Sequence, residues 1–362
     1  MRLVWATVTR VMLEREGFQR LEVALDGGEM GTCACYPHLS GAAAPGDRAI
    51  VNTTAVDLSL GTGGMHYVVA RLAPGADGGT GVLLDAVSGG HIMKARYTPL
   101  QVDVLAVEAP ESPHHDVMQR ATSVDGMPVV CCGLHSQVPL VAAALRETRP
   151  QARIVYCMTD QAALPLALSD TCAAALDVGL IDATVSCGQA FGGTLEAINL
   201  HSGLLAARHV LEADCAIVAI GPGVAGTGTP FGHGGVAQGE AINATVAVGG
   251  RAVACLRISQ ADARDRHRGV SHHSVVALTR VACCAATVAV PTLRGEISDG
   301  IESQLSDAGV WDRHVRAVSD HGSVEPPSLM GLSVRTMGRG YEDDPAFFAA
   351  AFAAGDIASK LM

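Results

Sequence analysis

The sequence predicts a two-part α/β protein: a small antiparallel β-barrel-like domain, then a Rossmann-like, mostly parallel doubly wound sheet. Three observations carry this expectation. Residues 1–100 hold short alternating runs broken by glycine turns. After Pro128 the pattern changes to apolar strand-like runs separated by helical periods. One of those runs, Cys215–Ile220, empties into a turn rich in glycine.

The elements can be justified in order. Leu3, Trp5, Thr7 and Thr9 alternate with Val4, Ala6, Val8 and Arg10, and residues 18–25 form a second run. Asp26-Gly27-Gly28 and Pro45-Gly46-Asp47 are turn signals, the latter ahead of a strand over 48–52. Residues 52–64 then read as a long polar loop. Periodicity vanishes around Pro110-Glu-Ser-Pro-His-His-Asp116, so a linker is expected over 101–127. From 128 to 362 an α/β domain follows. Strands are expected at 129–132, 153–158, 183–187, 215–220, 252–258, 287–290 and 315–318, with helices over 138–148, 165–178 and 195–211. A last helix opens with Asp344 as N-cap and Pro345 at the first helical position, ahead of Phe347, Phe348 and Phe352.

Composition removes several classes of function. The 362 residues are 49% hydrophobic and 17% charged, which describes a chain with a large core and not a disordered one. A net charge of −11 without any basic cluster argues against nucleic acid as partner, because neutralising phosphates needs grouped Lys and Arg. No apolar run approaches the ~18 residues needed to span a bilayer. The 11 cysteines lie mostly in apolar runs, where a thiol acts as a small core residue, and a reducing cytoplasm suits them best. Lys94 and Lys360 are the only lysines, so no phosphate-binding G-K-[ST] loop exists.

Ligands of doubly wound sheets bind at the carboxyl ends of the strands. Residues following the expected strands are therefore cleft candidates: His135, Ser136 and Asp160 among them. The glycine turn is the sharpest. Gly221, Gly223 and Gly226 have the spacing G-x-G-x-x-G, followed by Thr227, Gly228 and Thr229. Such a turn can aim backbone N–H groups at a phosphate or carboxylate. As a dinucleotide fingerprint it is incomplete. Pro222 and the stretch from Thr229 to Gly235 delay the helix, and no acidic residue closes the next strand, which makes NAD the weaker reading. The bland alternative is a tight strand–helix junction that only glycine permits.

A second cluster is Arg264-Asp-Arg-His-Arg-Gly-Val-Ser-His-His-Ser274. Imidazole serves both as metal ligand and as acid–base near neutral pH. His267 and His272 are the candidates for proton transfer, and for a divalent metal if one is bound. The spacing matches no established zinc signature. If Ser271 caps a helix, adjacent His272 and His273 are expected to diverge, so at most two of the three would share an ion. Arg268, with Arg339 from the late Thr336-Met-Gly-Arg-Gly340 segment, would neutralise an anion. Structural hydrogen bonding is the competing explanation. Lys94 and Arg96 sit in the dense run His91-Ile-Met-Lys-Ala-Arg-Tyr97, where a substrate contact and an interdomain salt bridge compete.

Four segments together carry a resemblance: Asn52-Thr-Thr-Ala-Val with Leu60-Gly-Thr-Gly-Gly64; His91-Ile-Met-Lys-Ala-Arg-Tyr-Thr-Pro-Leu100; the glycine turn from Gly221 to Thr229; and His267-Arg-Gly-Val-Ser-His-His273. In these the chain resembles an uncharacterised bacterial family, domain of unknown function 3866, over essentially its whole length. The resemblance implies a bacterial cytosolic protein and supplies no activity and no catalytic residues. Two expectations follow from the residues themselves. One is an enzyme acting on a small anionic, phosphorylated or nucleotide-like molecule held by the glycine loop beside the histidines. The other is a non-catalytic metabolite-binding or sensor protein whose β domain contacts a partner. Either is compatible with a homo-oligomer.

Overall fold

The computed structural model describes residues 1–59, 64–72, 90–293, 296–321 and 326–362. Residues 60–63 of the expected polar loop lie outside these. The chain divides into two units, 1–105 and 106–362.

The first unit is built on a closed five-stranded barrel. Its strands are β1 (Leu3–Arg15), β2 (Phe18–Leu25), β3 (Met30–Cys35), β4 (Arg48–Asn52) and β5 (Met65–Leu72), with single-turn helices α1 (Pro37–Ser40) and α2 (Thr54–Asp57) between them. The order around the barrel is β1-β2-β3-β5-β4. All pairs are antiparallel except β3 with β5, which is the connectivity of an OB-type Greek-key barrel. Alternation decides which side chains fill it: Ala6 and Val8, Leu21 and Val23, Cys33 and Cys35, Ala49 and Val51 all point inward. Register shifts in β1 between Val8 and Arg10 and between Val11 and Leu13 bend the long strand, as closure requires. A short antiparallel pair, β6 (Ile92–Lys94) and β7 (Val102–Val104), completes the unit.

The second unit holds an eight-stranded sheet, all of it parallel, in the order β11-β10-β9-β12-β8-β13-β16-β17. These strands are β8 (Pro128–Cys132), β9 (Ile154–Thr159), β10 (Ala183–Cys187), β11 (Leu195–Ala197), β12 (Cys215–Ile220), β13 (Arg251–Cys255), β16 (Thr287–Pro291) and β17 (Val315–Ser319). Two further short strands, β14 (Ile258–Ser259) and β15 (Gly269–Val270), pair with each other outside it. The central strands β8 and β12 are buried along their whole length and β9 in all but its last residue, so they read as apolar runs. Helices cover both faces: α3 (His115–Arg120), α4 (Val138–Thr148), α5 (Asp170–Asp177), α6 (Leu200–His209), α7 (Ala237–Ala247), α8 (His272–Val276), α9 (Glu296–Asp307) and α10 (Pro345–Ser359). Leu204 of α6 and Ile242 of α7 belong to one core cluster, whereas Leu140 of α4 and Phe352 of α10 belong to the other. No helix among the described residues is long and apolar enough to cross a membrane.

Three segments differ from the sequence expectation. Residues 101–127, read as a linker, contain β7 and α3, and Ala106 bridges to Glu196 of β11. The helix expected over 165–178 is a 3₁₀ turn, Leu166–Leu168, then α5, because the Ser169 hydroxyl caps a new start by accepting from Cys172 N–H at 2.9 Å. The helix expected over 195–211 begins only at Leu200. Asn199 caps it, and Leu195–Ala197 is an edge strand.

The order of connections positions the site. From β8 the chain passes through α4 to β9, on one side. From the neighbouring β12 it passes through α7 to β13, on the other. Such a reversal opens a crevice at the carboxyl ends of the central strands.

Candidate functional site

The loop that leaves β12 is held by its glycines. A Cβ at Gly221 would run into the carbonyl of Ala163, so this buried position accepts glycine only. The Ala163 N–H in turn donates to the Pro222 carbonyl at 3.0 Å. Gly223 and Gly228 have φ of 87° and 79°, conformations that glycine adopts without strain. Beyond them the chain folds into a small hairpin, with Gly226 bridged to His233. Thr227 N–H donates to the Gly232 carbonyl (2.8 Å), and the Thr227 and Thr229 hydroxyls lie 2.9 Å apart. Gly232 N–H donates to Thr229 Oγ1 at 3.1 Å. Both hydroxyls expected at an anion are thus used to shape the loop. Helix α7 starts only after the 3₁₀ turn Gly234–Val236, so the loop does not present a helix N-terminus in the dinucleotide manner.

The histidine segment is shaped by buried hydroxyls. The pairing of β14 with β15 returns the chain to Ser271, whose N–H donates to the Arg257 carbonyl at 2.8 Å. Ser271 Oγ caps α8, accepting from His273 N–H at 3.2 Å, and meets His267 Nδ1 at 2.7 Å. Ser274 Oγ accepts from Arg257 N–H at 2.9 Å. The expectation that His272 and His273 diverge is corrected here. Both occupy the first turn of α8, where side chains lean back over the helix start, and their rings lie 4.4 Å apart.

Four histidine rings gather at this point. His233 stacks on His273 at 3.7 Å with 5° between planes, and His272 meets His233 edge-on at 5.2 Å. His267 meets His273 at 4.8 Å and His272 at 5.1 Å. Burial, then the neighbouring His233 and Arg257 charges, pushes His273 down to about 2. Burial and then Arg257 bring His267 down to about 3. Burial lowers His272 and His233 as well. All four rings are therefore neutral at pH 7.

Beside them lies a buried ion network. Asp262 accepts from Arg264 Nε and Nη2 (both 2.9 Å) and lies 3.3 Å from Arg257 Nη2 and 3.5 Å from Arg339 Nη2. Its carboxyl is held well below the usual carboxylate range, chiefly by Arg264. Arg339 Nε also donates to Asp344 at 3.1 Å, and Asp344 accepts from Ser259 Oγ (2.6 Å) and Gln260 N–H (2.9 Å). Asp344 therefore does not cap α10 as expected. Its carboxylate is taken by the Ser259–Arg339 side of the network. Burial brings Arg257 down to about 10, with Asp262 opposing that fall.

The two sequence clusters meet. A Cβ at Gly226 would lie 3.7 Å from the His273 ring, and one at Gly228 would lie 3.9 Å from Arg266 Nη1. Arg339 joins through Asp262 and Arg257, whose Nη1 lies 3.5 Å from His273 Nδ1. Arg268 is exposed, and its carbonyl accepts from Gln304 Nε2 at 3.5 Å. His135, Ser136 and Asp160 do lie at carboxyl ends of strands, and their bonds are structural. His135 links Tyr156 and Ser169, Ser136 Oγ donates to Thr336 Oγ1, and Asp160 accepts from Gln189 N–H. Lys94 and Arg96 belong to the N-terminal unit, Lys94 buried and Arg96 exposed.

Sequence reasoning missed His233, Arg257 and Asp262 as site residues, whereas Arg266 was already visible beside Arg268 ahead of the Ser271–Ser274 segment. His233 stands between glycines at the exit of the loop, a signal that was there to use. Arg257 and Asp262 carried none, since only the β14–β15 turn brings them to the rings. A cleft of about 900 Å³ shares Pro230 and Phe231 with the loop tip and is lined also by Leu278, Arg280, Arg313 and His314. In that cleft Arg313 Nη1 donates to the carbonyls of Leu278 and Ala282, and His314 Nε2 lies 2.9 Å from the Leu278 carbonyl.

Fold and site together define a barrel-plus-parallel-sheet α/β protein with an arginine-flanked histidine cluster at the carboxyl edge of its sheet. The chain belongs to the family of proteins of unknown function DUF3866, whose model matches residues 32–355. No curated protein and no solved structure matches it.

Proposed function

We propose that the protein is an enzyme acting on a small anionic molecule, phosphorylated or nucleotide-like, at the carboxyl edge of the sheet in residues 106–362. The observation that carries this reading is the meeting of the glycine loop with the histidine segment, with Gly226 against His273 and Gly228 beside Arg266. Arg266 is exposed and supplies the cation. The glycines let an anion approach the backbone closely. His272, half-buried, moves protons more readily than His267, whose Nδ1 is committed to Ser271. Arg339 positions Asp262 and Asp344 instead of meeting the anion itself. The eleven thiols are free and nine are buried, which supports a reducing cytoplasm as the site of work.

The test is calorimetric titration of the full chain, in metal-free buffer, with inorganic phosphate, pyrophosphate and a nucleoside triphosphate. At least one should bind, and Arg266→Ala should weaken it about tenfold, the loss expected for one charge-assisted contact. Absence of binding to all three, or equal binding by the variant, would overturn the proposal. The low basicity of the histidines favours a second reading, a non-catalytic metabolite sensor. An anion that binds and is never turned over would select it.

A further inference from the structure

We propose that His233, His272 and His273 form a binding site for one transition-metal ion of the zinc class. One nitrogen from each ring lies within 4.8 Å of the others. Three imidazoles around one ion at ~2.0–2.1 Å require nitrogens about 3.3 Å apart, a distance that side-chain rotation can close.

The strongest observation is a pair of orphaned atoms. His233 is 5% exposed, and its Nδ1 is buried with no hydrogen-bond partner. Its Nε2 lies 3.0 Å from the Pro230 carbonyl, which can only accept, so Nε2 carries the proton and Nδ1 carries a free lone pair. A ligating histidine is typically oriented this way, donating its second N–H to a backbone carbonyl. His272 Nε2 is likewise buried without a partner. Leaving two ring nitrogens unmatched in a dry interior is unfavourable, and a cation that takes a lone pair from each removes both defects at once.

Donor type selects the ion. Three neutral nitrogens and no carboxylate suit zinc and its neighbours, whereas magnesium and calcium demand oxygen. His267 stands outside the three histidines whose ring nitrogens come within 4.8 Å of one another. The remaining coordination is left to water, as in catalytic zinc sites. Parallel rings 3.7 Å apart cannot both aim in-plane lone pairs at one ion, so loading must turn one of them. His273 is the ring that moves. Its Nδ1 is held only by Arg257 at 3.5 Å, and Arg257 keeps Asp262 as partner afterwards.

The site stands on the histidine geometry and does not require the anion reading, so the metal is tested alone. Full-length protein without a histidine tag is dialysed against chelator, then titrated with ZnCl2 or CoCl2 in phosphate-free buffer. Calorimetry and elemental analysis should give one equivalent per chain, and Co2+ should show visible bands of nitrogen coordination. His233→Gln and His272→Gln should each weaken binding by about 100-fold or more, at or above the top of the ~10–100-fold range for losing an outer-shell partner. The exposed His201→Gln should leave it unchanged. Should His233→Gln fail to fold, the half-buried His272→Gln decides. No saturable binding, a preference for Mg2+, or binding that survives His272→Gln would overturn the proposal.

Discussion

His135, half-buried, and His233, buried, both lie at the carboxyl edge, and their nitrogens separate them. His135 has Tyr156 OH at 3.1 Å and Ser169 Oγ at 2.6 Å, and both of its ring nitrogens are satisfied. His233 keeps one nitrogen bare. The first is architecture and the second is available for chemistry, a distinction that no histidine count reveals. Burial has a measurable consequence for both kinds. His135 is pushed down to about 4, His267 to about 3 and His273 to about 2, whereas an unfolded histidine takes up its proton near ~6.5. Between those values the unfolded chain binds more protons than the folded one, so stability falls as pH falls. Above ~6.5 these residues contribute no slope. Urea midpoints measured from pH 8 to pH 4 should therefore hold level above neutrality and drop steadily below pH 6.5. A flat profile through pH 5 would show that the rings are not buried as neutral bases.

Helix α10 shows at the element scale how much of a fold a sequence can announce. Pro345 at its first position and the Phe347, Phe348 and Phe352 series mark its start and its apolar character. It is buried on every side, as a helix apolar all round must be. What the series does not announce is its neighbour. Gly355 meets α4 so closely that a Cβ would fall 2.8 Å from Ala144 Cβ and against the Val141 carbonyl. Gly355→Leu should force the two helices apart and cost about 1–3 kcal/mol, with the melting temperature lowered to match. Unchanged stability would mean that the crossing is looser than this. The central strands were similarly plain, because strands covered on both faces leave apolar runs such as Cys215–Ile220. The breaks at Ser169 and Asn199 were not, since an N-cap interrupts a helical period without altering composition.

Across the whole molecule, the barrel core around Leu21 and Val51 shares no residue with the two clusters that flank the parallel sheet. Each unit thus closes its own strands and buries its own apolar surface. Residues 106–362 expressed alone should fold and unfold in a single cooperative transition, followed by circular dichroism and calorimetry, with native-like dispersion of amide signals. A fragment that aggregates or melts without a transition would show that the barrel completes the second core.

The sequence by itself determined the class of both units, seven of the eight parallel strands, the glycine loop and the histidine segment. These are local properties: period, turn chemistry and burial pattern are written in neighbouring residues. Only the tertiary structure decided which parts meet. Gly226 and His273 are separated by an entire βα unit, and the crossing of β8 and β12 connections sets them side by side. Asp344 reads as a helix cap, yet the β14 segment supplies it with Ser259 and Gln260 instead. His233 reads as a loop residue until packing buries it and leaves Nδ1 without a partner. Burial, and the choice among competing hydrogen-bond partners, arises from distant segments. For that reason the chemistry of the site emerged only once the chain was folded.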